Sequence, residues 1–198
     1  MPSLLSTVAL GTTGVLVSAV VATQVFGTGP VEAVASGSLE AEVVKIVDGD
    51  TIDVRYGDGI HRVRLLNVDA PESKDPNRPV ECLGVAASEF LAEQLPLDTT
   101  VTLEFDEDLH DPYDRLLAGV VKGDVLVNAE IARAGLGVPV YYEPNDRFLS
   151  QVQSAHAEAK SEHLGLYDPD AECSIPAQIV QLQAAQQQVQ AEPAQGAT

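Results

Sequence analysis

The pattern of apolar and polar residues predicts β-strands in three neighbouring segments, at residues 42–47, 51–56 and 60–68. The first is rich in β-branched residues. The second alternates with a period of two, which places one face of a strand in a core and the other in water. The third supplies the returning strand. Gly57-Asp58-Gly59 predicts a turn between the second and third segments. The three segments therefore predict a meander, which Pro71 ends.

Beyond the meander, helical and strand-like spacing alternate. Helical spacing covers residues 84–95, 128–134 and 147–163, and the last of these predicts the longest helix. Pro96 and Gly135 are stop signals for the first two helices. Residues 100–105 and 116–121 predict a fourth and a fifth strand. Five strands with a helix between the third and fourth predict an α+β fold, a five-stranded Greek-key barrel of the OB type with three helices.

The two ends of the chain differ from this body, which we place at residues 39–173. Residues 4–26 carry no charge and are long enough to cross a bilayer. Ala33-Val34-Ala35 fits a signal cleavage site, so we expect residues 1–35 to be a removed secretion signal and the protein to be extracellular. The alternative is a membrane anchor. Residues 174–198 are rich in Ala and Gln and predict a disordered tail, the alternative being a weak helix.

Charge and cysteine content narrow the function. Eleven basic residues face 30 acidic ones, for a net charge of −19, whereas proteins that hold nucleic acid by its backbone present a basic face. Most of the acids are expected to form a solvated surface. Five of the 11 basic residues nevertheless fall between residues 55 and 78. Cys82 and Cys173 predict a disulfide in an exported protein, the alternative being two free thiols.

Carboxylates cluster around the meander, at Asp48, Asp50, Asp69 and Glu72. Asp50 and Asp69 each stand at the edge of a strand beside a turn, so a meander can project both from one end of the barrel. Two carboxylates with carbonyls and waters make an oxygen-rich site that suits Ca²⁺ or Mg²⁺. Asp50 alone would be read as a turn residue, but like charges this close repel unless a cation joins them.

Arginines beside these acids suggest that the site binds a phosphate group. Arg64 lies within the third strand and Arg115 begins the fifth. Each would ordinarily form a surface salt bridge, but a guanidinium fork also binds phosphate. Glu72 follows Pro71 and could hold a water or take its proton. A cation, two guanidinium groups and a glutamate together describe phosphodiester hydrolysis with one metal ion.

These residues fall in blocks that resemble the staphylococcal nuclease (thermonuclease) family over roughly residues 41–168. The blocks, in order, are Val47-Asp48-Gly49-Asp50-Thr51, Arg64-Leu65-Leu66-Asn67-Val68-Asp69-Ala70-Pro71-Glu72, Asp111-Pro112-Tyr113-Asp114-Arg115, Val127-Asn128, and Gly135-Leu136 leading to Tyr142-Glu143-Pro144-Asn145. The first two blocks together are a specific signal.

The resemblance implies a Ca²⁺-dependent nuclease that cuts DNA and RNA with little sequence preference. It implies that Asp50 and Asp69 bind Ca²⁺, together with the backbone carbonyl of Ala70. Catalytic roles would fall to Arg64, Glu72 and Arg115. Tyr113 would contact substrate phosphate and Tyr142 would lie near the base-binding pocket.

Two other functions stay open at this point. Nuclease-like barrels also serve as non-catalytic modules that bind nucleic acid or protein, and the acidic charge keeps that alternative in view. A secreted domain that only buffers calcium is the other. We expect a monomer whose partners are DNA and RNA, with a membrane involved only if residues 4–26 remain attached.

Overall fold

The computed structural model describes residues 37–73, 81–171 and 173–191. The predicted signal or anchor at 1–35 and the end of the predicted tail at 192–198 lie outside the described residues. The strands are β1 Ser38–Ile46, β2 Thr51–Tyr56, β3 Gly59–Leu65, β4 Val68–Asp69, β5 Thr100–Glu104, β6 Leu116–Lys122, β7 Val125–Leu126 and β8 Val138–Pro139. The α-helices are α1 Gly84–Gln94, α2 Val127–Arg133, α3 Leu149–Glu162 and α4 Ile175–Ala191.

The main sheet closes into a five-stranded mixed barrel, as the sequence predicts. Its strands run in the order β3-β2-β1-β5-β6, and β3 also pairs with β6 to close the circle. The β3–β6 pairing is parallel and the others are antiparallel. The alternating apolar residues of these strands, such as Val43, Ile52 and Val63, are fully buried. The core of the barrel therefore comes directly from the period-two pattern.

The predicted third strand is interrupted. Residues 60–68 become β3 and the two-residue β4, because Asn67 between them takes a positive φ of 61°. The buried Asn67 amide donates to the carbonyls of Val140 and Asn145. β4 then pairs with β8 instead of continuing in the barrel. This break turns Asp69 out of the barrel wall at the rim.

The described residues form four α-helices where the sequence predicts three. The fourth, α4, covers 17 residues of the segment that composition assigned to a disordered tail, and it is longer than the 14-residue α3. Ser174 caps it by accepting a hydrogen bond from the Ala177 amide, and Pro176 lies in its first turn, where no amide donor is required. Ala and Gln are good helix formers, so the same composition supports a helix.

The predicted disulfide is present. Cys82 and Cys173 are bonded, with Cα atoms 5.4 Å apart, and they join the start of α1 to the segment that precedes α4. Across the described ranges, no helix combines the length and the apolar character needed to cross a bilayer.

Candidate active site

The turn between β1 and β2 holds Asp50 in a buried position. The residue is 6% exposed; its Oδ2 accepts a hydrogen bond from the Ala70 amide at 2.8 Å and its Oδ1 accepts one from the Thr51 hydroxyl at 3.0 Å. Asp48 closes the turn by accepting from the Asp50 amide. Asp50 is thus fixed between its own turn and the residue that follows Asp69.

Arg64, on β3, is buried against these acids. Its Nη2 lies 3.0 Å from Oδ2 of Asp50 and 2.6 Å from Oδ1 of Asp69. Its Nη1 donates to the carbonyl oxygens of Leu65 and Val68, at 2.9 and 2.7 Å. The guanidinium is therefore held in one orientation from two sides.

Burial dominates the acid–base behaviour of Asp50. Loss of hydration raises the pKa of its carboxyl from 3.8 to about 7, while Arg64 opposes this shift and Asp48 adds to it. One guanidinium shared by two aspartates does not fully compensate the buried charge. A further cation beside Asp50 would favour its ionised form.

A cavity of about 210 Å³ lies beside this pair; we call it the acidic cavity. Its lining residues are Asp48, Asp50, Arg64, Asp69, Ala70, Pro71, Glu72, Glu81, Arg115 and Tyr142. The structure therefore brings together all three predicted metal ligands, all three predicted catalytic residues and one of the two predicted substrate-binding tyrosines. Among these lining residues, five side chains are acidic and two are basic.

A second cavity, of about 740 Å³, adjoins the first, and we call it the tyrosine cavity. Arg64, Arg115 and Tyr142 line both cavities. Tyr113 lines only the tyrosine cavity, where it is largely exposed and its ring centroid lies 5.6 Å from Cζ of Arg115. A ligand bound to both arginines could therefore extend from the acids to the tyrosines.

Arg115 is positioned by its own loop. Its Nε donates to Oδ2 of Asp111 at 2.6 Å, and its amide donates to Oδ1. Burial tends to raise the pKa of Asp111, but hydrogen bonds from Arg115 and from the Tyr113 amide outweigh it, and the net pKa is lowered. Asp111 thus stays ionised and holds the guanidinium at the boundary of the two cavities.

Glu72 follows β4 and is tied to Glu81. The Glu81 amide donates to the Glu72 carbonyl at 2.7 Å, and the Glu72 amide donates to Oε2 of Glu81 at 3.2 Å. The Glu72 carboxylate accepts from the Ser73 amide. These bonds fix the backbone of Glu72 at the wall of the acidic cavity.

Comparison with known proteins agrees with this arrangement. The family model described as Staphylococcal nuclease homologue matches residues 62–168, more than half of the chain. The chain belongs to the staphylococcal nuclease family. The resemblance seen in the sequence motifs is confirmed.

Individual proteins are also similar to this chain. A protein named Thermonuclease from Staphylococcus intermedius is 36% identical over 165 residues, covering 79% of this chain and 97% of the relative. Another Thermonuclease, from Staphylococcus hyicus, is 34% identical and is covered over 70% of its length. The SPbeta prophage-derived endonuclease YokF from Bacillus subtilis is 40% identical over 125 residues, which cover 62% of this chain but only 42% of that longer protein.

Some residues that build the active site had no role predicted from the sequence. Glu81 lines the acidic cavity, but on the sequence it is one acid among 30. Three buried asparagines were recognised only as parts of motif blocks. Asn67, Asn128 and Asn145 each bond backbone groups of distant segments. An apolar residue would be expected at a fully buried position, so an asparagine inside a strand-like or helical run is the signal that could have found them.

The acidic cavity also allows a test of whether a cation fits. Within the described ranges, no group of three or more His, Cys, Asp or Glu side chains is arranged to hold a metal unaided. Asp50 and Asp69 nevertheless converge, because both carboxylates contact the same nitrogen of Arg64. Two carboxylates, a nearby backbone and room for water match the oxygen ligands of a hard divalent cation. The residues present fit such an ion with water completing its coordination.

Proposed function

We propose that this protein is an exported, Ca²⁺-dependent nuclease that hydrolyses phosphodiester bonds of DNA and RNA with little sequence preference. The observation that carries the proposal is the acidic cavity, where two guanidinium groups and Glu72 meet the Asp50–Asp69 pair. Membership of the staphylococcal nuclease family supports it, as do the names thermonuclease and endonuclease among the relatives.

Arg64 and Arg115 would bind the phosphoryl group that is attacked. Both are oriented before substrate arrives, Arg64 by two carbonyls and Arg115 by Asp111. Positive groups that are fixed in advance stabilise the charge that develops in the transition state without reorganising. This preorganisation is the main contribution that the protein makes to the rate.

Asp50, Asp69 and the backbone carbonyl of Ala70 would hold Ca²⁺, which would supply further positive charge at the phosphoryl oxygens. Glu72 would hold the attacking water or accept its proton. An ionised Asp50 is needed for this arrangement, and its burial makes that ionised form depend on the cation.

The tyrosine cavity would bind the nucleotide next to the scissile bond. Tyr113 lies beside Arg115 and would contact a substrate phosphate, and Tyr142 would stack with a base. Stacking of this kind contributes about 1–3 kcal/mol per base and tolerates any sequence. The proposed lack of sequence preference follows from contacts of this type.

The test is release of acid-soluble nucleotides from single-stranded DNA and from RNA, with CaCl₂ and with EDTA. We expect activity only with Ca²⁺, and a loss of about 10²–10³-fold in kcat for Arg115→Ala. Arg133→Ala is the matched control, because Arg133 pairs with Glu130 and Glu158 on helices away from both cavities. Equal digestion in Ca²⁺ and EDTA, or none in either, would contradict the proposal.

A non-catalytic binding module is the second candidate, because the net charge of −19 opposes a polyanionic substrate and favours a protein partner over nucleic acid. Such a module would bind nucleic acid or a protein at millimolar Ca²⁺ without turnover, so the same assay combined with a binding measurement separates the two.

Export is supported by the Cys82–Cys173 disulfide, since disulfides persist in oxidising compartments. Mass spectrometry of the native amino terminus tests it. A terminus near residue 36 is expected for a secreted protein, and an intact terminus in the membrane fraction would indicate an anchor at residues 4–26 instead.

A further inference from the structure

We propose that Glu81, held in place by the Cys82–Cys173 disulfide, is a positioning residue for Glu72. The inference rests on the proposed function, because it assigns Glu72 to the reaction. Glu81 itself touches neither substrate nor cation in this proposal. It acts through the backbone of Glu72.

The two glutamates are joined by a pair of reciprocal hydrogen bonds. The Glu81 amide donates to the Glu72 carbonyl, and the Glu81 carboxylate accepts from the Glu72 amide. Both polar groups of the Glu72 backbone are thereby engaged by one residue. Movement of Glu81 would carry Glu72 with it.

The first turn of α1 packs directly against the backbone of Glu72. A Cβ on Gly84 would lie 2.4 Å from the Glu72 carbonyl oxygen, so the two backbones are in direct contact. The Gly84 amide also donates to the Glu81 carbonyl. The position of Glu72 is therefore set by where α1 begins.

Local sequence does little to fix that beginning. The residue before α1, Leu83, offers no side-chain cap and takes a φ of 62°, which is rare for a bulky residue. The first turn contains no acidic residue that would favour its amide groups. A tertiary restraint is needed, and Cys82 provides it because its partner Cys173 precedes the capped start of α4.

The disulfide and Glu81 thus form one chain of contacts. Cys173 adjoins the fully buried Ser174 at the start of α4, the disulfide joins Cys173 to Cys82, and the adjacent Glu81 holds the backbone of Glu72. Gln178 donates to the Cys173 carbonyl and so ties Cys173 to the first turns of α4. Displacement of a reacting group by about 1 Å can cost about 10²-fold in rate, so this linkage is expected to affect turnover.

The experiment compares Glu81→Ala with Glu81→Gln in the full chain. A glutamine oxygen can still accept the Glu72 amide, so we expect Glu81→Gln to remain close to wild type. Glu81→Ala should lower kcat by about 10–100-fold, with KM and the Ca²⁺ requirement unchanged. This split distinguishes positioning from substrate binding.

Amide hydrogen exchange measured by NMR supplies a readout that does not depend on activity. Protection of the Glu72 amide should fall in Glu81→Ala and persist in Glu81→Gln. If the wild type is inactive, the proposed function fails while exchange still decides whether Glu81 holds Glu72. Wild-type kcat and wild-type exchange in Glu81→Ala would overturn the inference. So would a raised Ca²⁺ requirement in Glu81→Gln, which would make Glu81 a ligand.

The double variant Cys82→Ser, Cys173→Ser tests the role of the disulfide. It should lower kcat and the protection of the Glu81 amide at temperatures where circular dichroism shows a folded protein. Val152→Ala is the control for general destabilisation, since Val152 is fully buried on α3 and lines neither cavity. Equal effects of the two variants on kcat would remove the disulfide from the proposal, and Glu81→Ala would still test the remainder.

Discussion

At the scale of single residues, Arg64 combines a structural and a functional role. It is 6% exposed and is the partner of Asp50, which is equally buried. A buried pair adds little net stability when both partners are present, but removing one partner is costly as long as the other keeps its charge. Asp50 relieves part of this cost by taking up a proton, because burial already raises its pKa to about 7 with Arg64 beside it. Activity and stability are therefore coupled at this position.

Replacement of Arg64 should show both effects. We expect Arg64→Ala to lower kcat by about 10²–10³-fold. It should lower the free energy of unfolding in EDTA by about 3–5 kcal/mol at alkaline pH and by less at neutral pH, where Asp50 takes up a proton. Arg64→Lys should retain much of the stability but not the activity, since an ammonium cannot form the same fork. Urea unfolding and nucleotide release measure the two quantities. Full activity in Arg64→Lys would show that charge alone is sufficient.

The raised pKa of Asp50 predicts how calcium binding depends on pH. Its pKa is raised from 3.8 to about 7 in the metal-free fold, so its contribution to stability is complete below 3.8 and is lost as the pH rises through about 7. Ca²⁺ needs the ionised form. We therefore expect Ca²⁺ affinity, and the rise in Tm that Ca²⁺ produces, to increase with pH up to about 7 and then level off.

Titration calorimetry across this pH range measures the affinity. Asp53→Asn is a control for nonspecific charge effects, because Asp53 pairs with Arg62 on the outer surface of the barrel. An affinity that is constant from mildly acidic to neutral pH would show that Asp50 is already ionised in the metal-free protein, or that it is not a ligand.

At the scale of elements, the local sequence pattern predicts the barrel in full but the active site only in part. Alternation, β-branched residues and turn signals specified the strands, and the motif blocks specified Asp50, Arg64 and Asp69. The spacing of apolar residues does not reveal the break between β3 and β4 at Asn67. That break depends on hydrogen bonds from Asn67 to carbonyls more than 70 residues away. The low-complexity composition of the C-terminal segment favoured a disordered tail. The structure instead has a helix there, which Ser174 and Pro176 start, so these two helix-start signals should have been given more weight.

The β1–β2 turn approaches its neighbours so closely that only glycine fits at residue 49. A Cβ there would lie 2.6 Å from the Ala87 methyl and 2.8 Å from the Ala70 methyl. Overpacking of this kind costs about 1–3 kcal/mol. Relief requires movement of the turn that carries Asp50 or of the segment that carries Ala70.

Gly49→Ala should therefore weaken calcium binding by about 10–100-fold, with a smaller effect on kcat at saturating Ca²⁺. Gly57→Ala is the matched control. Residue 57 has open space around it and a φ of +55°, so alanine adds backbone strain of about 1–2 kcal/mol far from the site. Calorimetry should show normal Ca²⁺ affinity for Gly57→Ala. An equal loss in both variants would mean that general destabilisation explains the effect.

At the scale of the whole molecule, net charge opposes the proposed substrate. The chain carries −19, and the tyrosine cavity is lined by Asp108, Asp111 and Glu143 beside its two arginines. A polyanionic substrate is repelled at long range and is attracted only where it contacts Arg64 and Arg115. Salt screens the long-range part first, since the Debye length falls from about 10 Å at 0.1 M to about 3 Å at 1 M.

KM for single-stranded DNA should therefore fall as KCl is raised from about 0.1 M to about 1 M at saturating Ca²⁺. This is opposite to the behaviour of basic nucleic-acid-binding proteins, in which salt weakens binding by counterion release. The double variant Asp108→Asn, Glu143→Gln should bind more tightly at low salt and show a smaller salt effect, because it removes repulsion at the cavity itself. Asp124→Asn, Glu162→Gln removes two exposed acids that line neither cavity and should leave most of the salt effect in place. A KM that rises with KCl in all three proteins would show that contacts of Arg64 and Arg115 with phosphate outweigh the acidic surface at every distance.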